Sequence, residues 1–280
     1  MLVNNKNFNH LKVHTQYSIC EGAIKIDELA DYCKSKKIKT LGLADSYNLC
    51  GALEFSEKIS KVGTHPIIGT QINLSLSNIT GKVSLYATSE HGYKNLTKLS
   101  SLSYLNRKDT EDPTCEINDL IKNNSDLILL TGNYRDFFGK LFQANKIKYL
   151  NETINLLKKN FNDRIYFEIQ RHNDLNEDAF EKFNLDQSKK LEIPIIATVE
   201  VYYLSKYMHE AHDALICIGN KTYINEKNRV RFSPEHYLKN NNEINELFSD
   251  LPEALENNYN FPFRCNFRPL SSKPILPNIS

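Results

Sequence analysis

The chain has 280 residues, 40% of them hydrophobic and 25% charged, which is the composition of a folded globular protein with ample core. With 35 Lys and Arg against 34 Asp and Glu, its charge is balanced, which removes any electrostatic case for strong nucleic-acid or membrane binding. No apolar run approaches the roughly 20 residues needed to cross a bilayer, and MLVNNKNFNH lacks the apolar core of a signal peptide. The cysteines (Cys20, Cys33, Cys50, Cys115, Cys217 and Cys265) form no CxxC pair. They read as reduced thiols of a cytoplasmic protein.

The first predicted element is a strand in His10–Gly22, HLKVHTQYSICEG. Period-2 alternation sets Lys12 and His14 on one face and Leu11 and Val13 on the other. Ile24–Ser35 carries Ile26, Leu29, Ala30 and Cys33 at helical spacing and runs into a basic KSKK end. Thr40–Ala44 is a strand leading into Asp45-Ser46, Gly51–Val62 a helix, and residues 65–74 a strand. The rhythm continues with a strand at Lys82–Ala87, a helix at Gly92–Ser103 and a loop over 104–119. A strand at Asp126–Leu130 and helices at Asp136–Asn145 and Lys148–Asn160 come next, then a strand at Arg164–Gln170, a helix at Asn176–Leu191 and a strand at Pro194–Thr198. About seven strands alternating with helices predict parallel βαβ units closing into a barrel.

Beyond Ser205 the rhythm stops. Met208–Gly219 reads as a helix and Lys221–Ser233 as a basic loop or hairpin. Short helices are predicted at Pro234–Leu238, Asn241–Phe248 and Pro252–Phe261. The boundaries expected are therefore a barrel at 1–204, a helical extension at 205–268 and a Pro/Ser-rich linker at 269–280.

In a βα barrel, chemistry collects at the C-terminal strand ends. Those ends carry Lys12 and His14, Asp45-Ser46, Gln71, Glu168 through His172, and Glu200 with Tyr202, with Glu21 in the first loop. Each alone is an ordinary cap or surface residue. Their recurrence at successive strand ends is how a multi-metal hydrolase site is built.

The blocks HLKVHTQYSICEGA, LGLADSYNLCGALEF and HPIIGTQINL resemble the opening signatures of the polymerase-and-histidinol-phosphatase (PHP) domain. More narrowly, they are similar to the PHP domain at the N-terminus of bacterial replicative DNA polymerase III alpha subunits. The likeness continues in order through HGYKNLTKLSSLSY, DLILLTG, YFEIQRH, PIIATVEVYYL, AHDALICIGN, FSPEHYL, EINELFSDLPEALENN and RCNF. It implies a distorted (β/α)7 barrel with a short, mostly helical C-terminal extension. The family's polymerase aspartates, which use magnesium in a separate palm domain, have no counterpart, as expected if the chain stops in the linker ahead of the palm.

Metal-competent members of that family carry His-x-His, Asp-His, Glu and Asp-x-His where this chain has Lys12-Val-His14, Asp45-Ser46, Gln71 and Glu200-Val-Tyr202. His14, Asp45 and His172 match the pattern, and Glu21 and Glu200 stand in for aspartates. Lys12, Ser46, Gln71 and Tyr202 replace ligands. The resemblance therefore implies a PHP site without zinc or manganese, in which Lys12 supplies the lost positive charge and pairs with Glu21, Asp45 or Glu200. The partners it implies are the rest of the alpha subunit, a docked proofreading exonuclease subunit, and DNA held weakly through Arg229, Arg231 and the lysine-rich loops. The competing expectation is a metal-dependent phosphoesterase or 3′–5′ exonuclease working in the barrel.

Overall fold

The computed structural model describes residues 7–105 and 112–273. In chain order the strands are β1 (His10–Val13), β2 (Thr40–Leu43), β3 (His65–Leu76), β4 (Ile79–Ala87), β5 (Thr114–Glu116), β6 (Leu127–Leu130), β7 (Ile165–Ile169), β8 (Ile195–Ala197) and β9 (Glu200–Val201). The helices are α1 (Ile26–Lys36), α2 (Ala52–Lys61), α3 (Glu90–Leu105), α4 (Ile117–Lys122), α5 (Phe137–Gln143), α6 (Ile147–Phe161), α7 (Glu177–Leu191), α8 (His209–Asn220), α9 (Asn241–Leu247) and α10 (Pro252–Asn260).

The strands line up in the order β8-β7-β6-β4-β3-β2-β1-β9, with β5 added beside the far half of β3. Thr198 and Val199 carry the chain from β8 at one edge to β9 at the other, where Lys12 pairs with Glu200 and Val13 with Val201. That two-residue step curls the sheet into a distorted barrel. Parallel pairing holds everywhere except at β4, which runs antiparallel to both β3 and β6. The Lys82–Ala87 strand therefore belongs to a long hairpin and not to a βαβ unit. Its turn at Ser77-Asn78, both with positive φ, is short enough to reverse the chain directly. Two other expectations are corrected. The 104–119 stretch contains β5 and the start of α4, with 106–111 outside the described residues. Pro234–Leu238 is no helix; Tyr237 bridges to Tyr203 in extended pairing.

Alternation along the strands sorts the side chains between two environments. One set, including Leu43, Ile68, Leu85, Leu129 and Phe167, packs outward under the helices. The other, including Leu11, Ile67, Tyr86, Ile128 and Tyr166, fills one end of the barrel interior. On β1 the sequence expectation fails at one residue, because Leu11 lies in the inner set and Val13 in the outer. The ladder to β2 shifts register between His10 and Val13. Such a bulge turns consecutive residues to one side, so Leu11 and Lys12 both face inward.

The C-terminal segment seals the apolar end. Phe261 enters edge-on to Tyr86 with ring centroids 5.3 Å apart, and Cys265 joins the same cluster. Its backbone carbonyl accepts from His65 at the start of β3, 2.8 Å away. Asn258, fully buried on α10, accepts from Asn9 N at 2.8 Å and donates to the carbonyls of Asn9 (2.9 Å) and Ala197 (3.0 Å). Asn258→Ala strands three buried backbone groups. A loss of about 2 kcal/mol in urea unfolding is expected, with activity-independent readout by circular dichroism.

Candidate functional site

The polar end of the barrel interior is built around Lys12. Its side chain is fully buried, and its Nζ lies 3.3 Å from Glu168, 3.5 Å from Glu200 and 3.6 Å from Asp136. Burial alone would lower the lysine pKa, but the Glu168, Glu200 and Asp136 charges outweigh it and hold Lys12 protonated. Each carboxylate is fixed separately. Glu168, on β7, accepts from Gly132 N at 2.9 Å, from Gln170 Nε2 at 2.6 Å and from the Thr198 hydroxyl. Glu200 accepts from His14 Nε2 at 3.0 Å, Gln71 Nε2 at 2.7 Å and Asn133 Nδ2 at 2.9 Å. Asp136 accepts from Asn133 N at 2.9 Å.

Glu200 and Asp136 share the one lysine and shift in opposite directions. Burial opposes the Glu200 charge, yet Lys12, the His14 hydrogen bond and Lys82 together hold its pKa well below the usual range. Asp136 goes the other way. Burial raises it, and Glu200 and Glu168 add to that against the pull of Lys12, leaving it at about 6. As pH rises from about 4 to about 6, an unfolded Asp loses its proton while folded Asp136 keeps it, so the folded state weakens. Asp136→Asn removes that loss. The variant is expected to match the natural chain in urea unfolding at pH 4.5 and to exceed it by about 1–2 kcal/mol at pH 7.5.

A second ion pair adjoins the first. Lys82, which alternates inward with Ser84 and Tyr86 along β4, places Nζ 2.7 and 2.8 Å from the two oxygens of Glu21 and 2.9 Å from Ser46 Oγ. Ser46 Oγ donates to Glu21 at 2.5 Å. Burial opposes the Glu21 charge, but Lys82 overcomes it and lowers the pKa. Asp45 serves the backbone: it accepts from Thr15 N at 2.6 Å, Thr15 Oγ1 at 2.7 Å and Ser18 Oγ at 2.7 Å, pinning the first loop.

Of the residues expected at the strand ends, the structure thus gathers Lys12, His14, Gln71 and Glu200 about one point, with Glu21 and Ser46 beside Lys82. Tyr202 stacks on His14 at 4.5 Å and 23°. His172 stands behind the cluster, stacked on His236 at 4.1 Å and 4°, its Nε2 accepting from Glu200 N at 3.1 Å. The expected partners of Lys12 are corrected in part. Glu200 is one, whereas Glu21 pairs with Lys82 and Asp45 with Thr15 and Ser18, because the bulged β1 points Lys12 toward β7 and β9. Lys82, Asn133 and Asp136 were absent from the sequence expectation. The Lys82/Ser84/Tyr86 alternation against Val83/Leu85/Ala87 is the signal that could have found the first.

Zinc or manganese does not fit this donor set. A lysine ammonium, which carries no lone pair, stands among the carboxylates, and a dication beside it would be repelled. The mouth above the cluster opens into a cavity of about 450 Å³ lined by Tyr47, Lys82, Asn133, Arg135, Glu200 and Phe232 among others.

Residues 10–172 match the PHP domain family. The chain belongs to that family. Along nearly its whole length this PHP chain is similar to bacterial DNA polymerase III alpha subunits. The DNA polymerase III subunit alpha of Caulobacter vibrioides is 35% identical over 283 residues, covering 98% of this chain and 25% of that protein. That of Rickettsia prowazekii is 37% identical over 278 residues (98% and 23%), and that of Borreliella burgdorferi 34% over 284 residues (97% and 25%). The chain spans about a quarter of the length of these relatives. Among solved structures, an amidohydrolase of Chromobacterium violaceum is 10% identical with a TM-score of 0.45, covering 69% of this chain and 87% of that one. A two-domain protein of Bacteroides vulgatus, described as containing a PHP-like phosphoesterase, is 14% identical with a TM-score of 0.46, covering 85% and 61%.

Proposed function

We propose that this chain is the N-terminal PHP module of a replicative DNA polymerase III alpha subunit and works as a metal-free scaffold in the cytoplasm. The observation that carries the reading is Lys12, whose ammonium takes the place a metal would need among Glu168, Glu200 and Asp136. An ion pair of this kind holds the strand ends in place and offers no activated water. The similarity over 98% of the chain to alpha subunits supports the parent assembly, whose palm, in the rest of the subunit, would hold magnesium and carry out nucleotidyl transfer.

The proposed partner is a proofreading exonuclease subunit. Large apolar side chains lie exposed on α8 and the segments flanking it: Tyr207, Ile218, Tyr223 and Ile224, with Ile19 in the loop whose next residue, Cys20, touches Gly219. Apolar exposure of this kind marks protein contacts. DNA contact is weak for the isolated chain, since Arg229 is tied to Asp213 at 2.6 Å.

Size-exclusion chromatography with the exonuclease subunit of the same cell is expected to give a stable complex. Ile218→Asp with Tyr223→Asp should weaken it by more than about tenfold without altering the melting temperature. Manganese-dependent shortening of 3′-labelled DNA by the chain alone, lost on His14→Ala, would establish the phosphoesterase reading instead.

A further inference from the structure

Between the end of α8 and the extended pairing at Tyr237, residues 222–233 run past the barrel mouth without helix or strand. Among the described residues, no backbone–backbone hydrogen bond joins residues 223–235 to the rest of the chain. A segment of this kind opens at little cost unless side chains hold it down.

Side chains hold it at two places. Near its middle, Arg229 grips Asp213 on α8 with Nη1 and Nη2, each at 2.6 Å, and both side chains are almost fully buried. A two-pronged pair of this geometry is the strong form of an ion pair. The same guanidinium donates from Nε to the Ile224 carbonyl at 3.2 Å, so one side chain fastens Ile224 to α8.

Near its end, Phe232 packs against Tyr202 with ring centroids 5.1 Å apart and edge-on to His236 at 5.2 Å. The Arg135 guanidinium lies 5.2 Å from the centre of the Phe232 ring and donates to the Arg231 carbonyl at 3.0 Å. Arg135 is itself set by two hydrogen bonds to Asp174, at 2.8 and 2.9 Å. His209 Nε2 lies 3.0 Å from the Phe232 carbonyl.

The two anchors face different surfaces. Val230 and Phe232 line the cavity that opens above Lys82 and Glu200, and Tyr202, against which Phe232 rests, stacks in turn on His14. Arg229 serves the outer side, where it holds Ile224 and its exposed neighbour Tyr223 to the helix that carries exposed Ile218.

We propose that residues 222–233 are a latch, fastened by Arg229 on Asp213, whose seated position both narrows the barrel mouth and assembles the apolar docking face. Tyr223 and Ile224 stand on the latch and Ile218 on α8, so the three form one surface only while the latch is seated. A partner that binds this surface selects the seated state and so shields the polar cluster. That coupling rests on the docking reading, whereas the latch itself is a property of the free chain.

Hydrogen exchange of the full chain, read by mass spectrometry, tests the latch without a partner. Asp213→Asn is expected to speed exchange over 223–232 by at least about tenfold and to leave the barrel strands as protected as in the natural chain. The chain has no Trp, so Phe232→Trp supplies a single fluorescent reporter, whose emission should move to the red when Asp213→Asn is added. The Asp213→Asn chain should bind the exonuclease subunit about five- to tenfold more weakly, and saturating subunit should restore slow exchange. Unchanged exchange at 223–232, faster exchange spread evenly over the barrel strands, or full-affinity binding by the variant would each overturn the inference. Failure of the natural chain to bind the subunit would overturn the docking reading and the coupling with it, while the latch stands or falls on the exchange of the free chain.

Discussion

Replacing Lys12 with methionine is expected to lower the unfolding free energy by about 3–5 kcal/mol and the melting temperature by about 10 °C. The methionine stem fills the same space, so the effect is electrostatic. Glu168 and Glu200 would remain as fully buried acids that had shared one cation, with Asp136 beside them. The loss should be greatest near neutral pH and shrink below about pH 5, where the carboxylates of the variant take up protons. Adding Glu168→Gln to Lys12→Met should recover a large part of it, because the second change removes a charge that the first left unpaired. Thermal unfolding of the single and double variants at pH 5 and pH 7.5 checks both statements. A double variant less stable than the single would show that Glu168 acts through its hydrogen bonds and not through its charge.

The second large effect concerns metal. Lys12→His, Ser46→His, Gln71→Glu and Tyr202→His together restore the ligand types of metal-competent PHP domains. Gln71 Nε2 lies 2.7 Å from Glu200 and Ser46 Oγ 2.5 Å from Glu21, so each new ligand stands beside an acid, and the imidazole at 46 takes the space of the Lys82 ammonium, whose Nζ lies 2.9 Å from Ser46 Oγ. Without metal, the carboxylate introduced by Gln71→Glu opposes Glu200 as a like charge, and the fourfold variant should melt below the natural chain. Zinc at about 100 times its Kd should raise that melting temperature by about 5–10 °C, reversed by chelator. The natural chain should respond to neither. The change Lys12→His alone should not confer the response, because Gln71 and Ser46 would still offer neutral oxygens.

Much of the fold was legible because its signals are local. The helical spacing of Ile26, Leu29, Ala30 and Cys33 predicts the buried face that α1 presents. The β3–β4 hairpin was misread for a local reason as well: Ser77-Asn78 is a two-residue turn without glycine, so the run from 65 to 87 lacked an obvious reversal. The ring of strand-end residues was legible as a set, and Glu200 as a partner of Lys12. Glu168 as its second partner was not, because the bulge in β1 and the curl of the sheet decide which acids Lys12 reaches. Asp136 read as the start of a helix, which it is, and nothing in its neighbourhood announces that its carboxylate turns into the barrel. The bulge in β1 is likewise a matter of register, invisible to alternation alone.

The central claim is that the Lys12 ammonium, and no metal ion, neutralises the acids at the heart of this PHP barrel. Elemental analysis of the full chain, purified without chelators, tests it most directly. Zinc, manganese and iron together should fall below about 0.1 ion per chain and be unchanged by His14→Ala. Metal near one ion per chain that disappears on His14→Ala would contradict the account.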